Sequence, residues 1–332
     1  MPGTRGLALA VAAATLASAS PARAGDNDLV MSRLGTIIDD GNGTPIDVVG
    51  DSQQFRSMVS ELGAVMAPRL LNPSDTLGFG GFQFSVDYAF TGITNDAAYW
   101  RVLEGSSDPS SSTAVHGDGL MKTVGIFARK GMWFPIPSIE VGAGAVHLAD
   151  SHLWAAQGYV KFALHEGFHD LPLPSVAARG GASRLMGAQD LDLTVASFDL
   201  SLSKHLGVGG TMGLDPYAGW DLLIIIPRSE VVDRTPQLDP LTTPGDENMN
   251  FVFRDQADII RHRLFFGTKV QYYVFALTLE GSLTLAGSSV DDRSGVDVAC
   301  DDVTDPGDLA RCDAHDKATM QESFNVALGL DF

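Results

Sequence analysis

The chain has 332 residues, 22 Lys+Arg against 41 Asp+Glu, a formal net charge of −19 and 45% hydrophobic residues. That hydrophobic content excludes a disordered chain, and the acidic balance excludes a nucleic-acid partner and adsorption to an anionic membrane face. Past residue 24 no apolar run approaches the roughly 18 residues of a spanning helix. The longest, Leu222 to Ile226, stops at Pro227, so a helical membrane protein is excluded as well.

Arg5 precedes an apolar run over 7–17, and Ala22-Arg23-Ala24 stands before Gly25. This pattern predicts a signal peptide over residues 1–24, with Ala22 and Ala24 as the small residues of the cleavage site. Export permits disulfides, and the chain has two cysteines, Cys300 and Cys312. They flank an acidic loop with too little apolar surface to order itself, which predicts a bridge between them. Residues 25–78 show no strand alternation. Phe55, Val59, Leu62 and Met66 recur at three- and four-residue steps and predict a short amphipathic helix over 53–66. Residues 25–78 are expected to cap or plug the strands that begin after them.

From Gly80 the period becomes two. Over 82–91 every even position is apolar and mostly aromatic, while every odd position is polar or small. The same alternation recurs over 154–164, 197–203 and 272–280, and more weakly over 120–128, 139–148, 176–186, 208–222 and 259–269. These segments run to about ten residues, the length a tilted strand needs to cross a bilayer. Short connections, read at 129–131 and 204–207, alternate with long acidic ones at 105–118, 228–250 and 288–319. Short turns at one end and long loops at the other predict an all-β, antiparallel up-and-down barrel over 79–332, of about ten strands. Its edges must close, because lipid offers no hydrogen-bond partner.

The last ten residues carry the most specific signal. Phe324, Val326, Leu328, Leu330 and Phe332 share one face, and Ser323, Asn325, Ala327, Gly329 and Asp331 share the other. Here the chain resembles Gram-negative outer-membrane β-barrel proteins, whose final strand alternates in this way and ends in Phe. The resemblance implies a location in the outer membrane, among its lipid and lipopolysaccharide. It also implies that the barrel-assembly machinery reads those five apolar positions.

His165-Glu166-Gly167-Phe168-His169 satisfies the H-E-x-x-H pattern, which in zinc proteases needs a helix to bring both His to one metal. A strand pattern before it, Gly167 within it and Pro172 and Pro174 after it argue against a helix, so a hairpin loop is expected. The Asp-rich loop over 291–308 and Asp39-Asp40-Gly41-Asn42-Gly43 offer oxygen ligands for divalent cations without an ordered calcium loop. No cofactor fingerprint stands in a credible strand–helix context. Asp87, Lys161, Asp199, Arg261, Arg263 and Glu280 fall on polar strand faces and are the candidate lumen residues. The chain therefore reads as a non-enzymatic outer-membrane barrel, either a passive channel for small solutes or a closed structural barrel. Two alternatives are a secreted or periplasmic β-sandwich binding module and an outer-membrane metalloenzyme using His165 and His169.

Overall fold

A computed structural model describes residues 25–42, 45–107, 119–132, 138–166, 173–235, 249–292, 295 and 298–332. Ten antiparallel strands form the barrel: β1 (Phe82–Gly92), β2 (Leu120–Met132), β3 (Ile139–Leu148), β4 (Trp154–His165), β5 (Ser175–Met186), β6 (Leu191–Ser203), β7 (Met212–Ser229), β8 (Ile259–Tyr272), β9 (Phe275–Thr284) and β10 (Gln321–Asp331). Each pairs with its neighbour in sequence. β10 then pairs with β1, as in Val326 against Tyr88, and the sheet closes on itself. The cross-strand row through Ile126 arrives at Ile226 in one direction and at Leu214 in the other. That twelve-residue stagger is the shear that tilts the strands of a closed cylinder. A single closed sheet excludes the β-sandwich alternative, which requires two facing sheets.

The alternation seen in sequence is the in–out alternation of the wall. Phe84, Val86, Ile126, Phe162, Leu200, Leu264, Phe324 and Leu328 are exposed on the outside, although large and apolar. Ser85, Asp87, Gln157, Asp199 and Glu280 are buried on the inside. Where an aromatic lies across the inner wall, its neighbour is glycine. A Cβ on Gly142 would sit 2.2 Å from a ring carbon of Tyr159.

Three segments differ from those expected on the sequence. Arg129-Lys130-Gly131 is not a turn: β2 continues through it to Met132, with Arg129 facing inward and buried. The strand expected over 208–222 is β7, and it runs on to Ser229 through Pro227. Proline is tolerated there because β7 pairs with β8 only as far as Ile225–Ile259, so at Pro227 only β6 remains alongside. The connection expected at 204–207 holds a short strand, Leu206–Val208, folded back on β7.

The amino-terminal segment enters the cylinder. A small hairpin, Gly35–Asp39 with Pro45–Gly50, lies at the long-loop end, where Phe251 and Phe253 pack against Gly35 and Gly50. Helix α1 (Ser52–Val65) follows, with Asp51 capping it by accepting from the Gln54 amide at 3.0 Å. Residues 66–77 then run through the barrel to the short-turn end, where β1 begins.

Candidate functional site: the filled lumen

The inner wall has two chemistries, and β6 shows both in one strand. Near the long loops its inward residues are Leu191, Leu193 and Val195; toward the short turns they are Ser197, Asp199, Ser201 and Ser203. β7 repeats the change with Ile225 and Leu223 above Asp221, and β3 with Leu148 and Val146 above Glu140. The apolar half surrounds α1, whose Phe55, Met58, Val59, Leu62 and Val65 join the wall in one buried cluster. Gly63 lies so near the wall that a Cβ there would come 2.7 Å from Cδ1 of Ile225. A helix satisfies its own backbone, so it asks its surroundings only for apolar contact.

The helix also has a polar side, directed at the loops. Glu61 is fully buried and accepts from the Thr94 amide at 3.0 Å, the Tyr99 hydroxyl at 2.8 Å and the Trp100 indole at 2.7 Å. Arg56 donates to the Ala257 carbonyl and to Ser289, both at 2.9 Å. Ser60 donates to Asp316 at 2.7 Å and accepts from Arg261 at 2.8 Å. Arg261 also donates to the carbonyls of Leu285 and Thr319. The loop at 285–320 is thereby joined to the helix, and within it Cys300 and Cys312 form the disulfide.

Residues 66–77 present the opposite problem. An extended segment with no strand beside it leaves its amides and carbonyls unpaired, and buried groups of that kind need partners. The wall supplies them one by one. Gln157 donates to the carbonyls of Met66 and Ala67, both at 3.1 Å, and Arg263 to that of Pro68 at 3.0 Å. Arg179 reaches the Leu70 carbonyl at 2.8 Å, and Arg129 that of Leu71 at 3.0 Å. Lys161 takes those of Pro73 and Asp75 at 3.1 and 2.8 Å. The amides are met as well: Leu71 donates to Glu280 at 2.8 Å, Ser74 to Ser203 at 3.0 Å, and Leu77 to Glu140 at 3.0 Å. Leu71 has φ of +36°, a strained value for a branched side chain, and both its backbone groups are held.

Four of these buried cations are paired with acids in turn, as their burial demands. Arg179 meets Asp199 at 2.6 Å, Arg263 meets Asp221 at 2.6 Å, Lys161 meets Glu140 at 3.2 Å, and Arg69 of the threaded segment meets Asp87 at 3.1 Å. All six candidate lumen residues face inward. Asp87, Lys161, Arg263 and Glu280 touch residues 66–77, Asp199 orients Arg179, and Arg261 serves the helix. Sequence reasoning missed Arg129, Glu140, Arg179 and Asp221, although period-two phase alone places them on the same inward face. No local pattern marks Arg69.

An antiparallel cylinder with apolar residues turned outward and its polar groups enclosed has only one solvent that suits it. The protein is a closed ten-stranded antiparallel β-barrel with the apolar outer face of a membrane-spanning one. The barrel resembles several solved structures. Neisserial surface protein A is 9% identical, with a TM-score of 0.26 over 76% of this chain and 97% of that one. The outer-membrane protease OmpT from Escherichia coli is 8% identical, with a TM-score of 0.33 over 79% of this chain and 98% of that one. LpxR from Salmonella typhimurium is 9% identical, with a TM-score of 0.30 over 74% of this chain and 99% of that one. The likeness is one of architecture. No protein-family model and no curated protein matches the chain.

The remaining sequence candidates fall outside the lumen or at its ends. His165 ends β4, and Glu166 accepts from the amide and hydroxyl of Thr76 at 3.0 and 2.5 Å; His169 lies outside the described residues. Among the described residues no group of three or more His, Cys, Asp or Glu is arranged to hold a metal ion. The acidic loop instead spends its carboxylates on the protein. Asp291 pairs with Arg254 at 2.5 Å, Asp301 with Lys317 at 2.6 Å, and Asp305 caps the Gly307 amide. Asp39 and Asp40 accept from the amides of Gly41 and Asn42 within their own turn. Burial raises the Asp316 carboxyl above its ordinary range, against the opposing pull of Ser60 and the Ala318 amide. Among the aromatics near strand ends, Trp154 lies tilted against His147 and Trp220 stacks on His262. Tyr272 and Tyr273 stand at the tight turn between β8 and β9, while Trp133 and Phe134 lie outside the described residues.

Proposed function

We propose that the protein is a closed structural barrel, in which residues 25–50 form a cap and residues 51–77 a plug, and not a passive channel. The observation that carries this reading is the pairing of the threaded backbone. A solute path would have to displace a segment whose amides and carbonyls are held by charged wall residues. Each displaced group would be left buried and unpaired, at about 1–3 kcal/mol apiece. The protein then works at its outer end, as a rigid support for the cap and the long loops, and takes no catalytic role. Removal of residues 1–24 by signal peptidase and recognition of Phe324 to Phe332 by the barrel-assembly machinery belong to the same reading.

Purified protein in planar bilayers tests it. The closed barrel shows no sustained unitary current steps, while the variant Arg129→Ala with Arg263→Ala, which frees the carbonyls of Leu71 and Pro68, shows intermittent ones. Stable steps of constant size from the unaltered protein would overturn the reading in favour of a channel.

A further inference from the structure

The course of the chain assigns a side of the membrane to its amino-terminal part. We infer that residues 25–50 lie outside the cell, beyond the outer membrane, and that the chain reaches them through its own barrel. Residues 25–50 are fastened to the long-loop end by a series of contacts. The Asn27 amide donates to the Asp150 carbonyl at 2.9 Å, Val30 to Val102 at 2.7 Å, and Arg33 pairs with Glu104 at 3.0 Å. Asp28 accepts from the His152 amide and meets its ring, both at 2.6 Å, and Arg234 donates to the carbonyls of Ser32 and Gly35. The far end of the threaded segment is as firmly placed at the opposite rim. Phe82 and Phe332 exchange backbone hydrogen bonds there, at 3.0 and 2.8 Å, and Gly131 donates to Gly81.

Barrels of this kind keep short turns in the periplasm and long loops outside. With the long loops outside, β1 starts in the periplasm, and residues 25–50, which precede the enclosed helix, stand at the outer end. The length suffices: α1 and the dozen extended residues after it lie end to end in the lumen, and the extended part alone reaches up to roughly 40 Å, against an apolar band of about 25 Å. Nothing in the segment resists passage as an open chain. Both cysteines of the protein lie in the 285–320 loop, so no disulfide closes a ring before residue 300. The charged inner wall then has a second use. It receives an extended backbone, whose carbonyls are all available to Arg, Lys and Gln, and holds it once the sheet has closed.

This topology rests on the fold and not on the closed state of the barrel, and it is tested by side of labelling instead of by current. Single thiols are introduced as Asn42→Cys in the cap turn, which is exposed, and as Gly207→Cys at the short-turn end, where an added Cβ meets nothing within 4 Å. The native cysteines are bonded to each other and leave the introduced thiol to react. Intact cells are treated with a polyethylene-glycol maleimide too large for solute pores. The expected result is full labelling of position 42 on intact cells and labelling of position 207 only after the outer membrane is opened. Ile46→Cys, also exposed, serves if Asn42→Cys fails to assemble. Labelling of the cap only after opening, or of position 207 on intact cells, would overturn the inference. A conducting barrel that still labels from outside at position 42 would remove the closed-barrel reading and leave this one standing.

Discussion

The two halves of the barrel interior are built on the same ten strands and differ in everything but geometry. Around α1 the wall offers Leu193, Val195, Leu223 and Ile225; around residues 66–77 it offers Lys161, Arg179 and Arg263 with their carboxylate partners, and Arg129 beside Gln83. The difference follows from what each plug element does with its own backbone. A helix closes its hydrogen bonds internally, so the surface it presents is made of side chains, and apolar packing is the matching wall. An extended segment presents its backbone, and a wall that must satisfy carbonyls needs long donors that are themselves held by acids. The chemistry of the lumen is thus set by the conformation of its contents.

Four perturbations probe this division of the lumen, in order of decreasing cost. Arg263→Ala leaves Asp221 buried without its cation and the Pro68 carbonyl without its donor, a loss of about 3–5 kcal/mol. Urea unfolding in detergent, read by the heat-dependent gel shift, measures it. Leu223→Ala removes apolar contact in the helix half and opens a cavity there, for about 2–4 kcal/mol by the same assay. The paired replacement Arg179→Met with Asp199→Leu separates the two duties of the charged half. It removes both charges together, so the ion pair itself is little missed, yet the Leu70 carbonyl still loses its donor. The expected cost is about 1–3 kcal/mol; no cost at all would mean that the cations serve only their acids.

Acid gives the mildest perturbation and acts at the long-loop rim. Burial pushes the Asp28 carboxyl up, but the amides of His152 and Gly25 and the His152 ring outweigh it, and its pKa lies below the ordinary value. A depressed carboxylate stabilises the fold above its unfolded pKa, and that contribution is lost as pH falls through the folded value. Asp316 has the opposite sign, since its raised pKa makes the folded state the better proton binder, and acidification toward the ordinary range does not weaken it. Hydrogen-exchange protection of the His152 amide, which donates to Asp28, should therefore fall on acidification below about pH 4. Protection of the Ala318 amide, which donates to Asp316 at 2.9 Å, should not fall over the same interval.

The strands are legible in the sequence because one face of each meets lipid over its whole length, which keeps the period at two from Phe82 to Phe332. The helix half hides itself by removing the contrast. Leu222 to Ile226 reads as an unbroken apolar run because Leu223 and Ile225 face α1 while their neighbours face outward. Strands covered on both faces lose their alternation in this way. Helix α1 is visible within one residue at each end, since Phe55, Val59 and Leu62 are all needed by the same wall. The threaded segment is not visible. Residues 66–77 have neither period, and their conformation is dictated by partners such as Gln157, Arg179 and Glu280, far away in sequence and brought together only by closure. Arg129 is lost to an expected turn because charge beside glycine looks like a loop until the strand is seen to need a donor there.

The filled lumen requires residues 66–77 to lie inside the closed barrel, and one cross-link tests that placement. A Cβ placed on Gly181 would sit 3.3 Å from Cβ of Pro68, close to the separation that a disulfide spans. In the double variant Pro68→Cys with Gly181→Cys, mild oxidation followed by digestion and mass spectrometry should recover the two segments as one linked peptide. The unlinked fraction should be minor in barrel that shows the heat-dependent gel shift. Correctly assembled barrel in which both introduced thiols stay free would place the segment elsewhere and refute the filled lumen.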